Sequence, residues 1–317
     1  MARVVAQTEL PYPPDELRRR VGQPGDVPSY DQVGKECRDQ LLAALPADWS
    51  FSGRRVLDFG CGAGRTLRHF ADEAGEAEFW GCDVDDASIA WLREHAGDRF
   101  TLRRVSDAPG LDAPDGHFDL VYAFSVFTHL SEHWAGWMLE LHRVMRDDGL
   151  MLATFLGPEF AAELAGEHLE EDHVGMLVLG AGRPWDEGGP CTVVSRWWLE
   201  AHWGRAFDVL GLEPGGWVDG RARQGTALLR KRKVDLCARD LERPEPGEPR
   251  EPIALQVAQN VMIRDTARIA ASQAERIREL STSIEELSAS REVVYSSRSW
   301  RLTAPLRGFA ARARRRR

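Results

Sequence analysis

Cysteine is scarce in this chain of 317 residues, and its five cysteines are scattered without a C-x-x-C pair. This pattern indicates neither a disulfide framework nor a zinc site, so reduced, mostly buried thiols are predicted. No apolar run is long enough to span a membrane. Acids and prolines interrupt the N-terminus before a signal-peptide core can form, and the cytoplasm is therefore the expected compartment.

Acidic residues are missing from the last twenty positions, 298–317, which contain eight arginines. Because the whole chain has 50 acidic and 41 basic residues, the remainder is more acidic than the net charge of −9 implies. An acidic body does not favour nucleic acid, so no nucleic-acid partner is expected. The basic tail is expected to have a separate electrostatic role.

Glycine and proline are both absent from residues 253–294, which predicts one long helix. Within it Ile277, Leu280, Ile284 and Leu287 repeat at 3-4-3 spacing. Isoleucine at one heptad position and leucine at the other favour a parallel two-stranded coiled coil, and hence a homodimer through this segment. A single amphipathic helix packed on its own domain is the alternative.

Apolar side chains are interleaved with the arginines of the tail, namely Trp300, Leu302, Leu306 and Phe309. Apolar anchors beside clustered cations suit an anionic membrane surface. We therefore predict peripheral contact with the inner face of the membrane through residues 298–317. Contact with nucleic acid, or a contribution to solubility alone, is the alternative interpretation.

The stretch VLDFGCGAGR, from Val56 to Arg65, carries the clearest motif of the chain. A short apolar run that ends in glycines predicts a buried strand and a turn, and residues 64–73 continue with helical character. The alternate glycines permit a sharp turn and a close approach of a ligand to the backbone. Since the loop opens onto a helix N-terminus, it is predicted to bind a flat, polar molecule.

Strand and helix patterns alternate from this motif to residue 155, which predicts parallel βαβ units. The predicted fold class is α/β, with a doubly wound, mostly parallel sheet that binds its ligand at the carboxyl ends of the strands. The predicted strands are 54–59, 77–83, 100–105, 118–124 and 149–155, and the predicted helices are 30–45, 64–73, 86–95 and 132–146.

The alternation breaks between Gly157 and Gly220, where glycine-rich pieces and five tryptophans occur. This region is predicted to be an insertion that caps the site, with Ser195 capping a short helix. Two further strands, 207–214 and 226–232, then complete a seven-stranded sheet. Most of the tryptophans are expected in the core, with one or two lining a pocket where they can stack on sugars.

Three segments accompany the glycine loop in the order and spacing of a known family. They are an acid at the end of the next strand (Asp83), HFDLVYAFSVFTHL (117–130) and LHRVMRDDGLMLATF (141–155). Over residues 30–233 the chain resembles the class I S-adenosylmethionine-dependent methyltransferases, which implies that cofactor and a Rossmann-like fold. A dinucleotide site is the competing interpretation, but its G-x-G-x-x-G fingerprint places the third glycine one residue later than here.

The resemblance implies cofactor-binding residues at the strand ends. Asp58 and the glycine loop would face the amino-acid part and ribose of the cofactor, Asp83 would accept both ribose hydroxyls, and Val84 would lie against the adenine. Capping of the following helix is the alternative role of Asp83. The implied set is Asp58, Gly60, Cys61, Gly62, Gly64, Asp83, Val84, Ser106, Asp107, Phe124, Ser125 and Val126.

Methyl transfer is an in-line displacement, for which the acceptor must be positioned and, when its proton is not acidic, deprotonated. No metal ion is required. His129, which follows the fourth strand into the predicted substrate mouth, is the first candidate base, with helix capping or packing as its alternative role. Asp172 and His173 in the cap are further catalytic candidates, and His133 is another.

Within the superfamily, the chain is most similar to methyltransferases found with glycosyltransferases in bacterial polysaccharide assembly. The likeness lies in VFTHLSEHW (126–134), in the strand from Gln224 to Arg230 and in SRSWRLTAPLR (297–307). It implies methylation of a hydroxyl of a glycan or glycan precursor. The alternatives are a small metabolite or a protein side chain as acceptor, and a non-catalytic coiled-coil scaffold with a methyltransferase-like binding module.

A proline-punctuated, charged stretch, 242–252, indicates that the catalytic body ends near Lys233. These patterns divide the chain into five segments. They are an N-terminal arm (1–29), the methyltransferase domain (30–233), a Pro/Glu-rich linker (234–252), a coiled-coil helix (253–297) and a basic amphipathic tail (298–317).

Overall fold

Seven strands form the main sheet in the computed structural model, and helices cover both of its faces. The structure describes residues 10–21, 26–166, 168–169, 175–181, 183–248 and 252–305, together with Arg307. The strands are β1 (Arg55–Phe59), β2 (Glu78–Asp83), β3 (Thr101–Arg104), β4 (Phe118–Ala123), β5 (Met145–Phe155), β6 (Met176–Leu179), β7 (Cys191–Val194), β8 (Phe207–Glu213), β9 (Trp217–Val218), β10 (Arg221–Ala222) and β11 (Gly225–Lys231). The helices are α1 (Asp15–Arg19), α2 (Val27–Ala44), α3 (Asp86–Ala96), α4 (Trp134–Val144), α5 (Pro158–Ala165), α6 (Arg196–His202), α7 (Ala238–Glu242), α8 (Pro252–Ser296) and α9 (Arg298–Leu302), with short 3₁₀ helices at Leu67–Phe70, Glu73–Gly75, Trp185–Glu187 and Trp203–Arg205.

The strand order of the sheet is β3-β2-β1-β4-β5-β11-β8. The first five strands of the chain pair in parallel, whereas β11 is antiparallel to both β5 and β8. The order reverses between β1 and β4, so the carboxyl ends of these two strands border the crevice where ligands bind in open α/β sheets. The predicted doubly wound, mostly parallel seven-stranded sheet is confirmed.

Alternate residues of the parallel strands point to opposite faces and bury two apolar clusters. On one face Val56 packs with α2 and α3, through side chains that include Leu41 and Ile89. On the other face Leu57 packs in a cluster that contains Met138 of α4. Because both faces of the sheet are covered, β1 appears in the sequence as a nearly continuous apolar run instead of an alternating pattern.

The predicted helix over residues 64–73 is wrong, because two short 3₁₀ helices occupy this stretch. A Cβ at Gly34 of α2 would lie 2.1 Å from the Arg65 carbonyl oxygen, so α2 packs directly against this backbone. The Tyr30 hydroxyl, also on α2, donates to the Ala63 carbonyl at 3.2 Å. This segment, packed closely against α2, forms short 3₁₀ turns in place of the predicted α-helix.

The cap predicted between 157 and 220 is built from α5, a two-stranded sheet of β6 and β7, and a second two-stranded sheet of β9 and β10. β6 and β7 bury Leu177 and Val193 in a small apolar cluster of their own. Leu156, directly after β5, forms a β-bridge with Val193, so the cap begins at the carboxyl end of β5. Ser195 caps α6 with its side chain, as predicted.

Packing of the domain continues beyond Lys233, into the predicted linker. α7 buries Leu241 completely. The Leu241 carbonyl accepts from His202 Nδ1 at 2.6 Å and from Arg205 at 2.7 Å, and Arg205 also forms an ion pair with Glu245 at 2.5 Å. The linker is therefore partly a packed helix, because Leu241 supplies an apolar anchor within the charged, proline-rich sequence.

The helix α8 contains 45 residues, as the absence of glycine and proline predicted. Its side chains Ile277, Leu280, Ile284 and Leu287 are all exposed, by 48% to 71%. None of the helices in the described part of the chain combines the length and the apolarity needed to cross a membrane.

Candidate functional site

The glycine loop after β1 closes over the carboxyl end of β2. The amides of Gly60 and Cys61 both donate to the Cys82 carbonyl, at 2.8 and 3.0 Å. The φ angles of Gly60, Gly62 and Gly64 are 80°, 50° and 80°. This left-handed region carries no steric penalty for glycine, so the sequence permits a turn that side chains would oppose.

Two of these glycines also occupy positions where a side chain does not fit. A Cβ at Gly60 would lie 2.2 Å from Val126 Cγ2, and a Cβ at Gly64 would lie 2.7 Å from Leu92 Cδ2. Val126 belongs to the loop after β4, and Leu92 to α3. The glycine loop is thus held closely between two elements that border the crevice.

The carboxylate of Asp83 faces the glycine loop from the end of β2. Its Oδ2 accepts from the Gly62 amide at 2.7 Å, and its Oδ1 accepts from the Asp85 amide at 2.8 Å. Burial raises the pKa of Asp83, while these backbone amides oppose the rise. Capping of α3 is done by Asp85, which accepts from the Ala87 amide at 3.1 Å, so Asp83 is not the cap.

The carboxyl of Asp58 lies at the base of the loop with 3% of the residue exposed. Burial raises the pKa of Asp58 to about 8, and the negative charge of Asp83 contributes to the rise. Within the described residues, Asp58 Oδ2 has no hydrogen-bond partner. A buried polar atom without a partner is costly, so this oxygen marks a position where a polar ligand group would be stabilised.

The end of β3 lies next to Asp83, because the Val105 amide donates to the Asp83 carbonyl at 3.0 Å. This contact brings Ser106 and Asp107, the residues predicted near adenine, to the same edge of the sheet, where both are exposed. The Ser106 hydroxyl donates to the carbonyl two residues on, at 3.1 Å. Val84 is half-buried before α3.

Ser125 has a φ of 59°, a left-handed conformation that is uncommon outside glycine. Its amide donates to the Thr154 hydroxyl at 2.7 Å, and its own hydroxyl accepts from the Gln224 amide at 2.7 Å. Phe124 is buried, and Val126 lies against the glycine loop. The sequence-based prediction missed Thr154 and Gln224 as site residues, because no local signal pairs positions as far apart as 125 and 224.

The ring of His129 is exposed on the loop after β4. Its Nδ1 lies 2.8 Å from the Pro190 carbonyl oxygen, an acceptor, so Nδ1 carries the proton and Nε2 of the neutral ring is left as a base. His133 is the N-cap residue of α4, and its side chain makes no capping hydrogen bond. Asp172 and His173 lie outside the described residues.

The five tryptophans of the cap differ in burial, and Trp197 is half-buried. Trp198 and Trp203 belong to the core, whereas Trp185 and Trp217 are 44% and 50% exposed. Trp217 lines a cavity of about 350 Å³ at the carboxyl end of β5. Other residues that line this cavity are Phe155, Glu159, His168, Arg196 and Leu212.

Residues 56–149 match the family described as the methyltransferase domain. The chain is 36% identical over 140 residues to a malonyl-[acyl-carrier protein] O-methyltransferase of Legionella pneumophila, with 44% of this chain and 49% of that protein covered. It is 30% identical over 165 residues to phthiotriol/phenolphthiotriol dimycocerosates methyltransferase 1 of Mycobacterium ulcerans, with 50% and 57% covered. The chain thus spans about half the length of these curated relatives.

Among solved structures, an S-adenosylmethionine-dependent methyltransferase of Mesorhizobium loti is 18% identical, with 61% of this chain and 96% of that chain covered and a TM-score of 0.46. The sheet described above, with its antiparallel β11 beside β5 and a glycine loop at the switch point, has the Rossmann-like methyltransferase fold that the sequence predicted. The part of the chain that matches the methyltransferase domain, residues 56–149, contains most of β1, all of β2 to β4, the glycine loop and Asp83. The predicted cofactor is thereby confirmed.

Proposed function

We propose that the chain transfers the methyl group of S-adenosylmethionine to a hydroxyl oxygen of a glycan or glycan precursor. The observation that carries the proposal is the glycine loop closed by Asp83, in which positions that exclude a Cβ lie beside a carboxylate held by backbone amides. Several relatives are named as O-methyltransferases, and these names support oxygen as the acceptor atom.

The residues at the strand ends fit the parts of this cofactor. Asp83 would accept the ribose hydroxyls. The unpaired Oδ2 of Asp58 would accept from the ammonium group of the amino-acid part, whose positive charge would lower the raised pKa of this carboxyl and favour its ionised form. When bound, the cofactor supplies a methyl group on a positively charged sulfur, ready for displacement. The task of the protein is then to hold the cofactor and to bring the acceptor oxygen into line with the methyl group.

His129 is the residue that we assign as the general base. The Pro190 carbonyl orients its ring and fixes the proton on Nδ1, so that Nε2 can take the proton of the acceptor hydroxyl as the carbon–oxygen bond forms. A sugar hydroxyl does not ionise near neutral pH, which is why such an acceptor needs a base.

The cavity beside Trp217 supports a glycan acceptor. A half-exposed indole ring offers a flat apolar surface on which a sugar ring can stack, and Glu159 and His168 supply polar groups at the same cavity. The cavity opens at the carboxyl end of β5, the same edge of the sheet at which the glycine loop and Asp83 lie. A small metabolite or a protein side chain is the competing acceptor.

A carboxylate acceptor is the second candidate, and the names of the relatives favour it. Two of them are a malonyl-[acyl-carrier protein] O-methyltransferase and a fatty-acid O-methyltransferase. A carboxylate with a pKa of about 4 is already ionised at neutral pH, so its methylation requires no general base. The two candidates therefore differ in their dependence on His129.

Replacing His129 with alanine is expected to lower kcat for a hydroxyl acceptor by about 100-fold or more, because general-base catalysis contributes that much. The KM for S-adenosylmethionine should stay unchanged, since the ring is not among the proposed cofactor contacts. The rates are measured with tritium-labelled cofactor and glycan extracts, and in parallel with fatty acids and acyl-carrier protein conjugates.

The matched control is His95→Ala, which removes another exposed imidazole whose Nδ1 also lies 2.8 Å from a backbone carbonyl, that of Trp91, and which should keep the wild-type rate. Full turnover of a glycan by His129→Ala would refute the base assignment. Turnover confined to carboxylates and insensitive to His129 would establish the second candidate. Failure of the wild-type chain to methylate any of these acceptors would favour the scaffold interpretation.

We further propose that α8 dimerises the chain through its exposed stripe. Substitution of Ile284 by lysine is expected to convert a dimer into a monomer, because it places a charge in the seam of the coiled coil. Sedimentation velocity of the full chain measures this change. Thr282→Lys, on the opposite side of the helix, should leave the dimer intact, and a monomeric wild-type chain at the same concentration would contradict the proposal.

The basic tail is proposed to hold the protein at the inner, cytoplasmic face of a membrane. Trp300 packs against Tyr295 with 4.9 Å between ring centroids. The Arg307 guanidinium lies 3.5 Å from the centroid of the Trp300 ring. Leu302 is 80% exposed, so apolar and cationic groups are presented together. The other two predicted anchors, Leu306 and Phe309, lie outside the described residues.

A further inference from the structure

Residues 10–21, which we call the N-terminal strap, pack along the backbone that follows the glycine loop. The guanidinium of Arg68 lies 3.9 Å from the centroid of the Tyr12 ring and donates to the Pro11 carbonyl at 3.3 Å. The Tyr12 hydroxyl donates to Asp31 of α2 at 2.9 Å. These contacts anchor the beginning of the strap to the domain.

The end of the strap lies on the glycine loop itself. A Cβ at Gly62 would lie 3.5 Å from Val21 Cγ1, which places Val21 directly outside this glycine. Arg65 at the end of the loop donates to the Val21 carbonyl at 3.3 Å. Because the Gly62 amide is the one that donates to Asp83, the strap ends against the proposed cofactor site.

An ion pair joins the strap to the other wall of the site. Arg20 Nη1 lies 2.6 Å from Asp85 Oδ1, and the Asp85 side chain is only 7% exposed. Asp85 already caps α3, since it accepts from the Ala87 amide at 3.1 Å and from the Ser88 hydroxyl at 2.6 Å. The carboxylate is therefore satisfied without Arg20, and the ion pair adds an attachment of the strap.

We propose that the N-terminal strap forms the outer wall of the cofactor site and that Arg20 is a positioning residue, which holds the strap closed through Asp85. The proposal rests on the proposed function, because it assumes that S-adenosylmethionine occupies the site beside Asp83. In this arrangement the cofactor enters and leaves when the ion pair opens. The pair therefore slows release of the cofactor without touching the reacting atoms.

The test is the rate at which the full chain releases S-adenosylhomocysteine, followed by stopped-flow tryptophan fluorescence. Arg20→Gln is expected to release it on the order of fivefold to tenfold faster, the factor that corresponds to one partly buried charge-assisted contact. The association rate constant should stay unchanged or rise. A merely structural loss would instead lower the fraction of competent protein, and with it the amplitude of the fluorescence change, while the release rate constant of the remaining protein stays at the wild-type value.

Arg19→Gln is the matched control. Arg19 is the adjacent arginine, but its partner is Asp15 of the strap itself, at 2.6 Å, so this variant should release the ligand at the wild-type rate. Asp85→Asn keeps an oxygen to cap α3 and loses the charge, and it should accelerate release as Arg20→Gln does. The double variant should release no faster than either single variant, because both remove the same contact.

If Arg20→Gln releases S-adenosylhomocysteine at the wild-type rate, and the wild-type chain binds this ligand, the strap proposal alone is overturned. Equal acceleration in Arg19→Gln would overturn it as well, because the effect would then come from positive charge on the strap in general. A wild-type chain that does not bind S-adenosylhomocysteine would overturn both the strap and the proposed function.

Discussion

The Asp83→Ala variant is expected to bind S-adenosylmethionine at least about 100-fold more weakly than the wild-type chain. Two charge-assisted hydrogen bonds to the ribose hydroxyls are lost, each worth about 1.5–3 kcal/mol. The Gly62 amide also loses its acceptor, so the loop is no longer held in the conformation that receives the cofactor. Isothermal titration calorimetry on the full chain measures the change.

Asp86→Ala is the control for this prediction, because it removes an exposed acid from the first turn of α3, near the same strand end. It should bind with wild-type affinity. Asp83→Asn keeps one carbonyl oxygen for the Gly62 amide and should lose less affinity than alanine. Wild-type affinity in Asp83→Ala would refute the role of this residue in cofactor binding.

Gly60→Ala is expected to lower the free energy of unfolding by about 2–5 kcal/mol and to abolish cofactor binding. The new Cβ must enter at a left-handed φ, which costs about 1–2 kcal/mol. It also meets Val126 Cγ2 at 2.2 Å, and overpacking of this kind costs about 1–3 kcal/mol. Urea denaturation, followed by fluorescence, measures the loss.

Gly53→Ala separates these two contributions. Gly53 has a φ of 70°, but nothing lies within 4 Å of the position of its Cβ, so only the backbone cost of about 1–2 kcal/mol is expected. Adding Val126→Ala to Gly60→Ala should recover part of the lost stability, because the clashing methyl group is removed. Equal losses in Gly53→Ala and Gly60→Ala would contradict the crowding argument.

The fold could be predicted from sequence wherever the determining interactions are local. The apolar run from Val56 to Phe59 and the glycines after it specify a buried strand and a turn without reference to the rest of the chain. Asp83 was likewise predicted from local sequence, because it is the acid at the end of the next apolar strand. The helix over 64–73 failed because its backbone is shaped by α2, through Gly34 and Tyr30.

The parts of the site that escaped prediction depend on contacts between distant segments. Ser125 reaches a left-handed conformation in a network with Thr154 and Gln224, which come from two other strands. The burial that raises the pKa of Asp58 likewise comes from the packed sheet rather than from its neighbours in sequence. Periodicity and motif spacing carry no information on such pairings.

The glycan acceptor stays a prediction for a related reason. The proposed cofactor contacts come from backbone and strand-end residues that a short motif specifies, whereas the proposed acceptor cavity is lined by residues of α5, α6, β8 and β9. These cap elements lie outside the matched region, residues 56–149. The methyl donor is therefore identified with more detail than the molecule that receives the methyl group.

The order of strands in the sheet has a consequence for the assembly of the domain during synthesis. β11 lies between β5 and β8, although β8 comes earlier in the chain. Once made, β8 therefore has no place in the sheet until β11 has emerged and paired with β5. Only then can Gln224 reach Ser125, so the glycine loop and Asp83 can assemble early, whereas the contacts of Ser125 are completed last.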